Sequence, residues 1–453
     1  MENQIRPLFH DPKPEDYLKG AEATAQWLRN TVIKTPDGFY WPEQPLDKSN
    51  NSTFLGEFSL YSGTTGIIYF FIQIAKATYN DTYLEEAIEG GRYIIKNWSN
   101  GSELQLYRDK SNSQWCMING VSGVAFVLTE LAIASGRSEF RDFSIRLIDQ
   151  LVNSAIETKE GVLWTGEPGV IFDSGIILFL IYASKKYNRK DWYELAVRAS
   201  EKVLKQGQAS SCGGMSWPNI SATHFGLPED SIIPNYFYGT SGIAYTMAVL
   251  YEESQNEKFL EGAKEGANYI KAISTIEGDS ILVPYSLPHL KHVHYIGLCH
   301  GAVGTIRLFY KLFKLTGDPQ YKEWMDSIVR GVINTGAPEL HSEGYWNTTC
   351  QCCGSAGLSN LFLGLWAETK EEIYLSYAKR VGKHLLSEST YDHEKGACWY
   401  QAWERLEPWK IAAKTGYFDG AAGNASELIH IYQASINQFD VLRLPDDPYP
   451  TKA

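Results

Sequence analysis

The sequence predicts an all-α protein whose helices form a double barrel, with seven helices inside and seven outside. A Gly-x-x-Gly pattern recurs at intervals of roughly 50–70 residues, somewhat longer than most helical repeats. Each copy is followed by an apolar segment of helical length and then by an amphipathic one. No linker or low-complexity stretch interrupts the repeats, so we expect residues 1–453 to form one domain.

Six complete copies and one degenerate copy of the glycine pattern make up the seven repeats. The degenerate copy is Phe172-Asp173-Ser174-Gly175. The complete copies begin at Gly63, Gly120, Gly239, Gly301, Gly354 and Gly420. We expect each copy to start an inner helix, so that all seven loops face one end of the barrel. Glycine at these points permits tight packing and close approach of the backbone to a ligand.

The segments after the glycines differ in how their apolar residues are distributed. Residues 175–187 are apolar nearly all round, which indicates a buried inner helix. Residues 82–98 and 320–333 are amphipathic and should form outer helices with one face in solvent. The first amphipathic segment, residues 14–32, has no apolar partner before it. We expect it to supply the outer helix that the last repeat lacks.

An extended segment that carries Gly and then Trp closes most repeats. It occurs at residues 38–41, 161–164, 214–217, 344–346 and 396–399. Tryptophans at equivalent repeat positions are expected to fill equivalent holes in the core. The tail from residue 439 carries three prolines and is expected to run as an extended strap over the surface.

Composition limits the partners and the compartment. The net charge of −12 argues against nucleic acid or an anionic membrane as the main partner. No uninterrupted run of about 18 apolar residues is present, so we expect no membrane span. The first residues lack the apolar core of a signal peptide. Seven cysteines, three of them within residues 350–353, favour reduced thiols and a cytoplasmic protein over a disulfide framework.

Cysteines precede two of the glycine patterns and suggest a metal site. Cys299 lies before Gly301, and Cys352 and Cys353 lie directly before Gly354. Three thiolates with one open position are typical of a catalytic zinc site, so Zn²⁺ is the expected cofactor. Two alternatives stay open: Cys350 as a fourth ligand that closes the site, or buried thiols without metal.

Four residues near the same loops are candidates for acid–base chemistry. His300 follows Cys299 and would serve as a general acid or base, or else as a partner or rival of the zinc ligands. Tyr238 and Asp173 occupy the loops of other repeats, and His294 lies on an extended segment upstream of Cys299. Each of these three is equally explained as a structural residue.

At these residues the chain resembles the lanthionine cyclase family, the LanC-like proteins. The resemblance rests on the seven helix starts, on Cys299-His300-Gly301 in the fifth repeat and on Cys352-Cys353-Gly354 in the sixth. It implies an α/α toroid with zinc at its mouth. The family's usual ligands are two Cys and one His, and Cys353 stands where that His usually is. This looks like a subgroup whose three ligands are all thiolates.

The resemblance implies a carbon–sulfur bond-forming enzyme. A cysteine thiol of a dehydrated precursor peptide would add to dehydroalanine or dehydrobutyrine, giving lanthionine or methyllanthionine. The chain shows no kinase-like or dehydratase-like extension, so dehydration would need a separate enzyme. Tyr238 stands where the family has a His. His294 and Tyr295 lie where it has an Arg, so the identity of the proton donor is open.

Three other functions compete with the cyclase. A LanC-like protein can add a small thiol such as glutathione to dehydroamino acids. A non-catalytic zinc protein can bind a partner enzyme or peptide. A glycoside-processing α/α barrel needs paired carboxylates, for which Glu167 and Asp173 are the only evident inner-loop candidates.

Overall fold

An apolar sequence that starts next to glycine defines each inner helix. The computed structural model of the protein describes residues 11–46, 54–98, 113–218, 226–341, 348–402 and 407–453. Within these residues, every inner helix is 15 residues long, and most of its side chains are buried. The inner helices are α3 (Thr64–Thr78), α5 (Val121–Ser135), α7 (Asp173–Tyr187), α9 (Thr240–Ser254), α11 (Ala302–Thr316), α13 (Ser355–Thr369) and α15 (Ala421–Ser435).

Amphipathic helices form the outer layer. They are α1 (Pro14–Thr31), α4 (Asp81–Asn97), α6 (Ser138–Asn153), α8 (Lys190–Lys205), α10 (Glu257–Ile273), α12 (Pro319–Asn334) and α14 (Glu372–Glu388). A short helix, α2 (Phe54–Phe58), precedes the first inner helix. Across the parts of the chain that the structure describes, no helix is both long and apolar enough to cross a membrane.

The inner helices close into a ring. Each packs against the next one in the chain, and α15 packs against α3. Each outer helix lies on the inner helix that precedes it, and α1 covers α15. Gly20 of α1 lies against Leu386 of α14 and Leu428 of α15. The predicted α/α toroid is therefore confirmed, including the role of the first helix as the missing outer member of the last repeat.

The second glycine of each pattern is required by close packing. A Cβ atom at Gly66 would lie 2.5 Å from the Leu60 carbonyl oxygen, and one at Gly242 would lie 1.8 Å from the Tyr236 oxygen. The same collision with a loop carbonyl would occur at Gly123, Gly175, Gly304, Gly357 and Gly423. Each inner helix thus begins in direct contact with its own preceding loop, and this contact fixes the loop against the helix.

Short antiparallel hairpins lie between the helices, and four of the six that the structure describes lead into the Gly–Trp segments. They are β1 (Ile33–Thr35) with β2 (Gly38–Tyr40), β3 (Ile156–Thr158) with β4 (Gly161–Leu163), β5 (Gln208–Ala209) with β6 (Met215–Ser216), β7 (Thr275–Glu277) with β8 (Ser280–Leu282), β9 (Thr390–Asp392) with β10 (Gly396–Cys398), and β11 (Tyr400–Ala402) with β12 (Ile411–Ala413). In the first of them, Thr35 pairs with Gly38, whose φ of 126° suits glycine.

The tryptophans after these glycines occupy equivalent buried positions, as predicted. Their indole N–H groups donate to carbonyl oxygens at the ends of the preceding outer helices. The pairs are Trp41 with Leu28, Trp164 with Leu151, Trp217 with Val203 and Trp399 with Leu385, at 2.7–2.9 Å. The fifth predicted segment, residues 344–346, lies outside the described residues.

The C-terminal tail corrects the prediction of a surface strap. Asp446 and Tyr449 are buried against the inner helices. The Arg307 guanidinium of α11 lies 2.7 Å from the Asp446 carboxylate, and Tyr236 donates to the Asp446 carbonyl at 3.0 Å. Gly364 of α13 leaves the space that the Tyr449 ring fills. The buried Arg307 guanidinium needs a buried anion, and Asp446 of the tail supplies it.

Candidate metal centre

The loops that precede the inner helices are joined to one another by backbone hydrogen bonds. Around the ring, the N–H of one loop donates to a carbonyl of the next at 2.9–3.0 Å. The bonds run from Ile171 to Phe237, Phe237 to Cys299, Leu298 to Cys352, Cys352 to Phe418, Phe418 to Tyr61 and Tyr61 to Ile118. All these loops therefore lie at the same end of the toroid, as the sequence predicts, and residues far apart in the chain are held side by side.

Three cysteine sulfurs converge in this ring of loops. The Cys299 Sγ lies 3.2 Å from the Cys353 Sγ, which in turn lies 3.5 Å from the Cys352 Sγ. All three sulfurs lie within 4.8 Å of one another. Cys299 and Cys352 are buried, and Cys353 is half-buried. Three potential ligands at this spacing can hold one metal ion.

Cys350 takes a different position in the same loop. It is buried, and its sulfur accepts the backbone N–H of Cys353 at 3.5 Å. It does not belong to the group of three converging sulfurs. The geometry therefore favours three protein ligands over four, and it leaves one side of the cluster for another ligand.

The three thiols are in hydrogen-bond contact with one another. Hydrogen bonds from Cys299 and Cys353 lower the pKa of the Cys352 thiol well below its ordinary value. The hydrogen bond with Cys352 correspondingly raises the pKa of Cys299. A thiolate is thus already favoured in the cluster, and a bound cation would favour ionisation of the remaining thiols.

A cavity of about 320 Å³ opens in front of the cysteines. Its lining residues mostly come one or two positions before the first glycine of a repeat, where the loop turns into the inner helix. It is lined by Tyr61, Asn119, Ile171, Phe237, Tyr238, Tyr285, Tyr295, Cys299, His300, Thr348, Cys350, Cys352, Cys353, Lys414 and Asp419.

His300 and Tyr238 meet in this cavity. Their rings are stacked, with centroids 4.9 Å apart and an interplanar angle of 10°. The Tyr285 ring meets the imidazole edge-on at 5.2 Å. Burial lowers the pKa of His300 to about 4, so the imidazole is neutral at pH 7. Burial, together with Cys299 and the other thiols, raises the pKa of Tyr238 well above 10, so its phenol stays protonated.

Asp173 begins the third inner helix, and its carboxylate accepts hydrogen bonds from the loop that precedes that helix. Its Oδ1 accepts the backbone N–H of Thr165 at 2.8 Å and that of Trp164 at 3.3 Å, and its Oδ2 accepts the Gly166 N–H at 3.1 Å. Thr64 and Thr240 receive the equivalent tryptophan N–H in other repeats. Asp173 does not line the cavity, so its placement favours a structural role over the predicted proton transfer. Glu167, the other carboxylate of the candidate glycosidase pair, does not line the cavity either.

His294 also lies away from the cysteines. Its Nε2 is 2.9 Å from the Thr275 Oγ1 of the β7 strand, and it lines a separate surface pocket with Glu277 and Asn334. Burial lowers its pKa. Of the two interpretations offered by the sequence, this placement favours the structural one over acid–base chemistry, because the imidazole faces the β7–β8 hairpin.

Three cavity residues were not singled out from the sequence. The Tyr61 hydroxyl contributes a hydrogen bond that lowers the pKa of Cys352. The Lys414 Nζ lies 3.1 Å from the Asp419 Oδ2, and Asp419 directly precedes Gly420. Their position in the repeat could have indicated two of them from the sequence. Tyr61 precedes Gly63 by two residues, as Cys299 precedes Gly301. Asp419 holds the position that His300 and Tyr238 hold in their repeats.

Comparisons with known proteins agree with this architecture. The sequence model of the lanthionine synthetase C-like protein family matches residues 55–172, 173–348 and 299–444. None of the curated protein sequences compared with the chain matches it.

Among solved structures, nisin cyclase is similar, with a TM-score of 0.59 and 16% identity over 83% of this chain and 89% of that one. The Lin0763 protein from Listeria innocua has a TM-score of 0.47 and 13% identity, covering 93% of this chain and 97% of its own. The first likeness shows the fold. The family match spans nearly the whole described toroid, and the chain belongs to the lanthionine synthetase C-like family.

Proposed function

We propose that this protein is a zinc-dependent lanthionine cyclase that acts on a dehydrated precursor peptide. The observation that carries the proposal is the convergence of Cys299, Cys352 and Cys353 at a cavity on the loop end of the toroid. The family membership supports it. The substrate would carry a cysteine thiol together with dehydroalanine or dehydrobutyrine, supplied by a separate dehydratase.

The three sulfurs fit zinc in kind and in spacing. Thiolates are preferred zinc ligands, and a tetrahedral ion with Zn–S bonds of about 2.3 Å separates its sulfurs by about 3.8 Å. The two shorter sulfur–sulfur distances, 3.2 and 3.5 Å, need only small outward movements to reach that value. Zinc held there would lower the pKa of a thiol at the remaining position and keep the sulfur nucleophilic.

His300 is the residue best placed to move the proton. The neutral imidazole lies at the cavity wall next to Cys299 and can accept the proton that the substrate thiol loses. Its low pKa makes the resulting imidazolium a strong acid. That acidity suits delivery of the proton to the α carbon of the enolate that forms when sulfur attacks the β carbon.

Tyr238 would position this imidazole. The stacked ring fixes the plane of His300, and the phenol cannot act as a base because its pKa is raised. Tyr295, which lies 6.3 Å from the imidazole between ring centroids, and Tyr285 complete an aromatic enclosure. An enclosure of this kind limits water around the enolate.

A cyclisation assay tests the proposal. The purified zinc-loaded protein would be incubated with peptides that contain one cysteine and one dehydroalanine at varied spacing. Cyclisation leaves the mass unchanged but removes the free thiol, so alkylation with N-ethylmaleimide followed by mass spectrometry reports the product. We expect alkylation to be lost in the presence of the enzyme and to persist in its absence.

The same assay separates the cyclase from its competitors. Inclusion of glutathione reveals intermolecular thiol addition as a mass increase on a peptide without cysteine. If neither reaction occurs above the uncatalysed rate with any peptide, while zinc is bound, the protein is a binding protein rather than an enzyme.

A further inference from the structure

One fixed positive charge faces the cavity beside the cysteine cluster. Among the described residues that line the cavity, Lys414 is the only lysine or arginine. It lies six residues before Gly420, and Thr348 holds the same position relative to Gly354 in the sixth repeat. The seventh loop adjoins the sixth directly, because the Cys352 N–H donates to the Phe418 carbonyl at 3.0 Å.

The ammonium is held in place by two carboxylates. Its Nζ lies 2.6 Å from the Glu43 Oε1 and 3.1 Å from the Asp419 Oδ2. Asp419 also accepts from the Ser62 hydroxyl at 3.2 Å. The neighbouring Thr415 is tied to the Glu43 carbonyl through its N–H at 3.1 Å. The lysine is thus built into the wall rather than free to move in solvent.

These contacts also keep the lysine charged. Burial alone would lower the pKa of Lys414, but the neighbouring Asp419 and Glu43 carboxylates outweigh it and raise the pKa above its ordinary value. A lysine of this kind is a poor proton donor. It is instead a permanent cation fixed on the cavity wall, where it can interact with negative charge that forms in the cavity.

We infer that Lys414 is a catalytic residue that stabilises the enolate oxygen of the dehydroamino acid during thiol addition. This inference rests on the proposed function. In that step the thiol loses its proton, the sulfur–Cβ bond forms, and the Cα=Cβ π electrons move toward the carbonyl oxygen. A proton then adds to Cα and restores the carbonyl. The negative charge is transient and lies on oxygen, which is where a fixed ammonium helps most.

The alternative within the same cavity is weaker. The tyrosine phenols that line the cavity can donate only neutral hydrogen bonds to an enolate oxygen. Hydrogen bonds from charged groups are about twice as strong as neutral ones.

The test compares Lys414→Gln with Lys414→Arg and with Lys410→Gln in the zinc-loaded protein. Lys410 pairs with Glu407 on the exposed part of the β11–β12 hairpin, so it controls for loss of one charge on that element. Zinc content and peptide binding would be measured beside the cyclisation rate. We expect Lys414→Gln to lower kcat by roughly 100-fold, the usual effect of removing one oxyanion-stabilising group. Peptide binding and zinc content should change little.

The two control variants are expected to keep their cyclisation activity. We expect Lys414→Arg to retain activity within about tenfold of the wild type, because the charge is kept, and Lys410→Gln to match the wild type. If Lys414→Gln does not fold, the double variant Lys414→Gln/Asp419→Asn removes the unpaired buried charge and takes its place. Equal kcat in wild type and Lys414→Gln would overturn the inference alone. A wild type without any thiol-addition activity would overturn the proposed function and the inference with it.

Discussion

The sulfur atoms of Cys299 and Cys353 lie 3.2 Å apart although 54 positions separate the two residues in the chain. They are brought together because two adjacent inner helices begin with the same glycine pattern and their loops are hydrogen-bonded, Leu298 N–H to Cys352 carbonyl at 2.9 Å. The repeat therefore creates the cysteine cluster that is the candidate metal site. A cysteine placed just before the glycine in neighbouring repeats reaches its counterpart without any special loop.

His300 is expected to be essential for catalysis but not for metal binding. Replacement by Gln should lower the cyclisation rate by roughly 100- to 10,000-fold, the range that one general acid–base residue contributes. Zinc content should stay at the wild-type level. The measurement is kcat by thiol alkylation, with metal content of the same sample. His294→Gln is the matched control and should leave the rate unchanged, since His294 lies on the β7–β8 side. A similar loss in both variants would contradict this assignment.

Tyr238 is expected to act through its ring rather than its hydroxyl. Tyr238→Phe keeps the stacked ring and should leave the rate close to that of the wild type. Tyr238→Ala removes the stacking, which is worth about 0.5–1.5 kcal/mol, and should lower the rate by up to roughly tenfold. Steady-state kinetics on both variants decide the point. A large loss in Tyr238→Phe would instead show that the phenol donates a proton or a hydrogen bond to the substrate.

The buried Asp173 carboxyl is expected to make the stability of the protein depend on pH. Burial raises its folded-state pKa to about 6, above the unfolded value near 3.9, although the Thr165 N–H and other donors oppose that shift. A raised folded pKa means that the group's contribution is fully present below the unfolded pKa and is lost as the pH rises through about 6. Urea unfolding should therefore show a larger advantage of wild type over Asp173→Asn at pH 5 than at pH 7. An advantage that grows with pH would reverse the sign and contradict the burial of Asp173.

The tail is expected to be part of the core. Arg307→Met leaves the Asp446 carboxylate buried without its main partner and should cost about 3–5 kcal/mol of folding free energy. The double variant Arg307→Met/Asp446→Leu removes both charges and should recover most of that loss. Urea unfolding of both variants measures the difference. An unchanged stability in the single variant would mean that the tail is not anchored by this ion pair.

Much of the fold could be predicted because it is repetitive. Glycine spacing and helix periodicity specify the ring. Each Trp that follows a hairpin glycine fills the equivalent position in the core of its own repeat. The tail could not be assigned from its prolines, because the sequence does not show that Arg307 is buried or that Asp446 is its partner. The sequence left two roles open for Asp173, and its contact with the Trp164 N–H, which Thr64 and Thr240 make with the equivalent tryptophans, favours the structural one.

The site could be predicted only where its chemistry is distinctive. Cysteines before glycine indicate the candidate metal ligands, and the structure brings their sulfurs together. Lys414 and Asp419 carry ordinary charged side chains, and the sequence does not show that Glu43, more than 370 residues away in the chain, is their neighbour. Only the closure of the ring brings the first and seventh loops together, so this part of the cavity required the structure.

The measurement that tests the central claim most directly is the metal content of the purified protein by mass spectrometry. Wild type would be compared with alanine variants of the three cluster cysteines, and with Cys350→Ala and Cys398→Ala as controls in the same loop and in a distant strand. We expect about one zinc per chain in the wild type and both controls, and loss or sharp weakening of zinc binding in Cys299→Ala, Cys352→Ala and Cys353→Ala. A wild type that is metal-free after purification under reducing conditions without chelator, and that takes up no zinc on addition, would contradict the account.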